Sequence, residues 1–452
     1  MTTLALLQRH EPSSLVAWER GRVTTAEALV AHVAAIAELL PQGSPGDEVV
    51  VMCRDRHRFT VAVLAAWQRG FAVALPPNAQ PETMRLMRER MGVRTVVHDV
   101  DGGLGIDVRD AAVVAAARGR EGREVFAPVP AFEADRLLAK VYTSGSTGEH
   151  AVCPKTAGQL IGEARVLRDT FAIAPGARVL AMVPPYHIYG LLFGVLMPLV
   201  SGASVYRHTP LLAPEVSAVL REGVDVLVTV PAHLRALSLA EDAQPQVARV
   251  FSSGAPLAPE VARAVATRFG WRVTEVFGSS ETGGIGWRES GGEGPYRPLP
   301  GVEVSAGLDD AMVVRSPFLH PSAPRPFVGT DRVDVDADGR FTHLGRTDGV
   351  LKIGGVRVSL AEIERRLLGI EGVRDAAVLA VEVGGARGHE VWAAVVAPSL
   401  DARRVREALR EWLAPVAMPR RVKVVEALPR EPNGKLPRHA LEALFGPTRR
   451  RA

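Results

Sequence analysis

The chain has 452 residues, 47% of them hydrophobic and 23% charged, which excludes an intrinsically disordered protein and predicts more than one core. A formal net charge of +4 is scattered apart from Arg449, Arg450 and Arg451, with no basic stripe interleaved with aromatics, which argues against nucleic-acid binding. Two cysteines, Cys53 and Cys153, are too few for a disulfide framework, and no apolar run reaches the roughly 20 residues of a membrane helix, so a cytoplasmic protein without membrane insertion is expected.

Thr24 to Leu40 opens with a Thr-x-x-Glu start and reads as a helix. Glu48 to Cys53 reads as a buried strand, Phe59 to Arg69 as a helix and Phe71 to Leu75 as a strand stopped by Pro76 and Pro77. A helix over Pro81 to Met91 and a strand over Arg94 to His98 follow, and Arg136 to Tyr142 is strand-like. Strands at Val179 to Val183, Val226 to Val230 and Arg272 to Phe277, with a helix at Ala258 to Phe269, continue the rhythm of a mostly parallel, helix-covered sheet. Val302 to Leu344 reads as short antiparallel strands turning at Ala337-Asp338-Gly339. After Gly345 to Gly349 come a helix (Leu360 to Leu368), strands (Asp375 to Val381, Glu390 to Ala397), a helix (Asp401 to Leu413) and a strand (Arg421 to Val425), the order of a small α+β domain. The expected fold class is therefore α/β. A large N-terminal domain (1–346) of mixed, mostly parallel sheets layered with helices carries a small antiparallel subdomain, and a small mobile α+β domain (347–452) follows.

Only five of the 54 basic residues are lysines, and Lys155, Lys352 and Lys435 fall in glycine-rich stretches. Val141 to Gly148 (VYTSGSTG) sets Thr143, Ser144, Ser146 and Thr147 around Gly145 and Gly148. Glycines let backbone N–H groups converge on an anion while hydroxyls add donors. By itself the loop reads more readily as a solvated turn. Phe277 to Gly283 (FGSSETG) places a carboxylate beside hydroxyls where a strand ends, a ligand or Mg2+ position whose alternative is a helix cap. Gly345 to Arg357 is a glycine-flanked charged hairpin, and Pro429 to Lys435 a loop; alone, each reads as a surface turn. Asp334 to Gly339 opens like an EF-hand loop, but Gly345 stands where the bidentate Glu is needed, so a hairpin is expected there.

These stretches, in this order from about residue 20 to 440, resemble the adenylate-forming superfamily of acyl- and aryl-CoA synthetases and adenylation domains. The resemblance implies an N-terminal domain and a mobile C-terminal lid. It implies that Thr143, Ser144, Gly145, Ser146, Thr147, Gly148 and Lys155 hold the outgoing pyrophosphate of ATP, although five residues (EHAVC) stand between Gly148 and Pro154 where most members have one. Gly254, Ala255 and Pro256 would line the adenine pocket beside Phe277, Gly278 and Ser279. Ser280 and Glu281 would contact the α-phosphate and Mg2+, with Ser280 where Thr is usual. Asp331 and Arg346 would hold the ribose, and Asp348 would be the hinge. Lys435 would bridge the carboxylate and α-phosphate, and Lys352, Gly354 and Gly355 would line the path of a pantetheine thiol. His187 in PPYHIYG would border the acyl pocket.

No Asp sits where amino-acid-activating relatives place one, so an amine-free acid is expected. Tyr186, His187, Tyr189, Phe193 and the Gly283-Gly284 pair suit a flat aryl or short acyl group. The pattern is similar to that of short stand-alone ligases of aryl-polyene-type pathways, which load an acyl carrier protein; free CoA is the alternative thiol. Arg365, Arg366, Arg403, Arg404 and Arg406 on the lid helices read either as a solvated face, the commoner case, or as a cationic face that steers an acidic carrier. A non-catalytic nucleotide- or acyl-binding protein is the alternative of another class, and Glu281 with Lys435 argues against it.

Overall fold

The computed structural model describes residues 3–44, 46–76, 87, 89, 95–101, 103, 105–109, 119, 131–144, 150–289, 294–346, 350–353, 356–382, 389–410, 412–413, 415, 417–432 and 434–446. The chain divides into two compact units, one of Met1–Val302 with Arg315–Ala323, the other of Glu303–Val314 with Pro324–Ala452. This differs from the boundary expected at 346/347. The strands Glu303–Ala306, Ala311–Arg315, Phe327–Val335 and Phe341–Arg346 form a sheet of their own, so almost all of this sheet falls in the second unit.

In the first unit a six-stranded sheet has the order His150–Thr156, Leu137–Ser144, Ala72–Leu75, Glu48–Met52, Thr95–His98, Ile106–Asp107. Every pairing is parallel except that of the edge strand His150–Thr156. Val49, Val50, Val51, Ala74 and Leu75 are buried, as expected of central strands covered on both faces. A nine-stranded sheet runs Arg297–Pro298, Gly283–Glu289, Val273–Ser279, Arg249–Ser252, Val226–Thr229, Arg178–Ala181, Ser204–Tyr206, Leu15–Glu19, Arg22–Thr25. Its neighbours are parallel from Val273–Ser279 through Leu15–Glu19, and antiparallel hairpins close both ends. Leu180, Leu227, Val250 and Val273 meet Val216, Leu234, Val261 and Trp271 in one core cluster.

The first helix spans Ala26–Leu39, and its cap is Thr25, whose hydroxyl accepts from the Ala28 N–H. The Thr-Glu box expected from Thr24 is off register by one residue. The helix expected over 81–91 lies outside the described residues apart from Met87 and Glu89. The helix Ala157–Phe171, passed over in the periodicity reading, is closed by a reciprocal capping box between Thr156 and Gln159.

In the second unit a three-stranded sheet orders Asp375–Glu382, His389–Val396 and Arg421–Val424, antiparallel then parallel, with the helix Ala402–Leu409 in the parallel crossover. Ile363, Leu367, Val391, Val395, Val405 and Leu409 form its core. The turn at Asp336–Gly339 is a hairpin, with Asp336 Oδ1 accepting from the N–H groups of Asp338 and Arg340. Cys53 and Cys153 are buried and form no disulfide. Among the described residues no helix is long and apolar enough to cross a membrane.

Candidate active site

Val273–Ser279, Arg249–Ser252, Val226–Thr229 and Arg178–Ala181 are parallel neighbours, so the segments leaving their C-terminal ends share one edge of the sheet. Open α/β sheets hold ligands at that edge. The Ser279–Gly283 turn, Ser253–Leu257 and Pro184–His187 all emerge from it.

The turn is locked by two hydroxyls. The Ser279 N–H donates to Thr282 Oγ1 at 3.2 Å and the Thr282 N–H donates to Ser279 Oγ at 3.2 Å, with the two oxygens 3.0 Å apart. Thr282 is buried, while Ser280 is half-buried and Glu281 exposed at the tip. Thr282 is one of the hydroxyls of the FGSSETG stretch to which the sequence assigns no separate role; its Ser-x-x-Thr spacing from Ser279 is the signal for this lock.

Beneath the turn lies Lys155, 2% exposed. Its ammonium donates to the carbonyls of Glu281 at 3.0 Å and Phe318 at 3.2 Å. The widened segment before it continues the hairpin ladder, pairing His150 with Ser144 and Lys155 with Ala139. The extra residues thus extend a strand. Lys155 shares its face with buried Cys153 and points inward. Burial lowers the Lys155 pKa, opposed by the charges of Glu163, Cys153 and Glu281. Gly145, Ser146, Thr147 and Gly148 lie outside the described residues, and Thr143 and Ser144 end the strand Leu137–Ser144.

Glu163, another residue the sequence reading missed, projects from the helix Ala157–Phe171 and is 2% exposed. Its Oε1 accepts from the Gly284 N–H at 2.7 Å. Burial pushes its pKa up to about 7, restrained by Lys155 and that N–H. A Cβ on Gly283, whose φ is +70°, would stand 2.4 Å from Glu163 Oε2, and one on Gly284 3.1 Å from Oε1. The bare sides of the glycine pair are therefore filled by the Glu163 carboxylate and, at Gly284, more closely by Leu299 Cδ1 at 2.7 Å, which corrects the expectation that they suit a flat acyl pocket.

In the neighbouring segment Ser253 Oγ donates to the Val276 carbonyl at 2.7 Å, and Gly254 turns with φ +87°. Gly254, Ala255 and Pro256 are exposed, as is Gly278, while Phe277 is half-buried against Tyr296 at 5.6 Å. The structure thus gathers this set with Ser279, Ser280 and Glu281. His187 is half-buried at the head of the helix Ile188–Leu191, its ring 4.7 Å from Tyr186. The helix passes through a π turn, Leu192–Leu196, before Met197–Ser201. Phe193, expected at the pocket, instead packs in the core, 5.0 Å from Phe251 and 5.0 Å from Tyr189. Fully buried Arg56, also missed, donates from Nη2 to the carbonyls of Ala181 at 3.1 Å and Val183 at 2.7 Å and so fixes the backbone before His187.

In the second unit Asp331 and Arg346 are directly opposite across a ladder, and Asp331 Oδ1 meets His343 Nε2 at 2.8 Å. Lys435 is exposed at the end of a loop anchored by Arg430, which grips Asp375 through two 2.8 Å bonds. Gly434 bends that loop with φ +80°. Lys352 lies on the strand Val350–Ile353, and Asp348, Gly354 and Gly355 fall outside the described residues. Arg365 and Arg366 both pair with Glu362, so the expected cationic face is redrawn. Arg403, Arg406, Arg410, Arg420, Arg421 and Lys423 instead line a groove of about 620 Å³ together with Glu407, which pairs with Arg403 at 3.7 Å. Arg404 is not among its lining residues.

Among the described residues no three His, Cys, Asp or Glu side chains converge as a metal cage. One exposed carboxylate at Glu281 suits Mg2+, which takes one or two protein carboxylates and fills its shell with phosphate oxygens and water.

Residues 7–314 match the family described as AMP-binding enzyme, and residues 362–435 match the AMP-binding enzyme C-terminal domain. A 4-coumarate--CoA ligase from Rhodobacter capsulatus is 34% identical over 65% of this chain and 73% of its own length. The p-hydroxybenzoic acid--AMP ligase FadD22 of Mycobacterium tuberculosis is 29% identical over 88% of this chain and 62% of its own. Among solved structures, o-succinylbenzoate CoA synthetase from Bacillus subtilis with its acyl-adenylate superposes with a TM-score of 0.81 at 21% identity, covering 100% of this chain and 99% of that one.

Proposed function

The chain belongs to the family of AMP-binding enzymes and is an AMP-forming acid–thiol ligase; from that premise we propose that it activates an amine-free aryl or short acyl carboxylic acid with ATP and passes the acyl group to the phosphopantetheine thiol of an acyl carrier protein.

The observation that carries the first half-reaction is the locked Ser279–Thr282 turn, which offers Ser280 and Glu281 at the ligand edge of a parallel sheet. A carboxylate is a weak nucleophile toward a polyanionic triphosphate, so the site must screen charge and align the reactants. The acid's oxygen attacks the α-phosphorus, an acyl–phosphate anhydride bond forms, and the bond to pyrophosphate breaks. Mg2+, when bound, neutralises phosphate charge. Glu281 would hold the ion, Ser280 would donate to the α-phosphate, and Gly254, Ala255 and Pro256 would border adenine. Asp331 and Arg346 would hold the ribose. Lys435 would stabilise charge developing between carboxylate and α-phosphate. The thiol then attacks the acyl carbon and AMP leaves, with Lys352, Gly354 and Gly355 along its path and Asp348 as the hinge.

The aryl reading rests on His187 beside Tyr186 and on two relatives named for aryl acids, 4-coumarate and p-hydroxybenzoic acid. The carrier reading is supported by the arginine-lined groove of the second unit, suited to an acidic partner surface. Free CoA is the second reading, favoured by the CoA ligases among the relatives. A panel of carboxylic acids in ATP–pyrophosphate exchange identifies the acid. Equal concentrations of CoA and phosphopantetheinylated carrier then compete for the adenylate, and preferential acylation of CoA would overturn the carrier assignment.

A further inference from the structure

Lys155 and Glu163 are a cation and an anion, each 2% exposed, lying under one catalytic turn. Two different main-chain groups of that segment are gripped from below. The Lys155 ammonium holds the Glu281 carbonyl at 3.0 Å, and the Glu163 carboxylate holds the Gly284 N–H at 2.7 Å. Lys155 also holds the Phe318 carbonyl at 3.2 Å, which ties in a third stretch of chain. The fit leaves no slack, because a single methyl on Gly283 would meet Glu163 Oε2 at 2.4 Å.

We propose that Lys155 and Glu163 form a buried clamp that sets the height and orientation of the Ser280–Glu281 tip, making Glu163 a positioning residue for the adenylation step; this rests on the role given to Glu281 above. A buried ammonium needs a counter-charge close by, since its neutral carbonyl partners do not cancel the cost of desolvation. Glu163, on helix Ala157–Phe171, is the carboxylate whose charge bears most on Lys155, although the two form no direct ion pair within 4 Å, and the same carboxylate fixes the strand that returns from the turn. In its ionised form the clamp is complete. When Glu163 takes up a proton the counter-charge is lost, Lys155 shifts, and the Glu281 carbonyl goes with it.

The groups facing the pair come from every neighbouring segment. Lys155 feels Glu163 from the helix, Cys153 from its own strand and Glu281 from the turn. His320, beyond Phe318, feels Lys155 in return and has a lowered pKa, through burial first and Lys155 second. Glu163, raised to about 7, is the member that titrates near neutrality. Ionisation of Glu163 should therefore give an acid limb near pH 7 in the rate of adenylation.

The test compares wild type, Glu163→Gln, Lys155→Arg, Lys155→Met and Glu281→Gln by pyrophosphate exchange between pH 5.5 and 8.5, alongside amide hydrogen exchange of the 277–288 segment. Glu163→Gln keeps the shape and an acceptor for Gly284 but cannot ionise. It should lower kcat about 10-fold at pH 8 with ATP KM changed less than twofold, flatten the acid limb, and speed exchange at Gly284. Lys155→Arg should recover part of the rate that Lys155→Met loses. A wild-type acid limb retained in Glu163→Gln, with unchanged protection of Gly284, would overturn the clamp. So would a Lys155→Met effect confined to ATP KM, which is the mark of a direct phosphate contact. Should Glu281→Gln leave exchange intact while Glu163→Gln still loosens Gly284, the role of Glu281 fails and the clamp itself stands; a Glu163→Gln enzyme that does not fold is replaced by Glu163→Asp, expected to lower the rate and keep the limb.

Discussion

Lys435 and Lys155 carry the same charge and have opposite surroundings. Lys435 is exposed on an anchored loop, whereas Lys155 is buried among carbonyls. Lys435→Ala is expected to lower acid-dependent pyrophosphate exchange by about 100-fold, in line with the loss of one group that stabilises transition-state charge. Exchange unchanged in that variant would remove the residue from the step. The motif order names Lys435, Glu281 and Ser280 as candidates, because turn chemistry is written in local sequence. Glu163 was invisible, since a glutamate in a helix is an ordinary surface residue until its face is known. Gly283→Ala combines a left-handed φ of +70° with a clash into Glu163, and should cost about 1–3 kcal/mol, read as a lower Tm.

Elements explain what residues alone do not. The strands Glu48–Met52, Ala72–Leu75 and Val226–Thr229 were legible because buried parallel strands are short apolar runs. The helix Ala157–Phe171 carries a Thr-x-x-Gln box, but Gly158 and Gly162 in its first turns weaken the helical signal of the sequence. Thr156→Ala should remove about 1 kcal/mol and lower Tm by a few degrees, with Glu163 displaced as its helix start frays. The π turn at Leu192–Leu196 leaves no periodicity signature, since it adds one residue to a helix that otherwise looks continuous. Gly190 allows that helix to start: a Cβ there would lie 1.9 Å from the Pro184 carbonyl, so Gly190→Ala should move the His187 segment and lower Tm.

At the scale of the whole molecule, the buried histidines His57 and His233 work against the fold as pH falls. His57 is lowered from 6.5 to about 3 by burial, then by His32, and His233 to about 4 by burial. Unfolding exposes them to their ordinary values, so the unfolded chain binds more protons below pH 6.5. Their contribution is fully present above that value and is lost as pH falls toward about 3 to 4. Glu163 acts the other way: raised from 4.5 to about 7, it favours the fold below 4.5 and loses that contribution as pH rises through 7. Thermal unfolding from pH 7 down to 4 should show a falling Tm, with a smaller fall in His57→Gln. The division into compact units differs from the boundary expected at 346/347 because an antiparallel sheet announces its strands and not the unit they join. The burial of both cysteines has a chemical consequence for an enzyme that makes a mixed anhydride and hands it to a sulfur. Cys53 is wholly buried, with its thiol pushed well up by burial and by Asp99 and Asp55, and Cys153 is 7% exposed. A thiol held neutral and out of solvent, as that of Cys53 is, makes a poor rival nucleophile. Cys53 is therefore not expected to capture the acyl group while an adenylate waits for its acceptor, and peptide mass mapping after incubation with acid and ATP alone should find Cys53 unmodified.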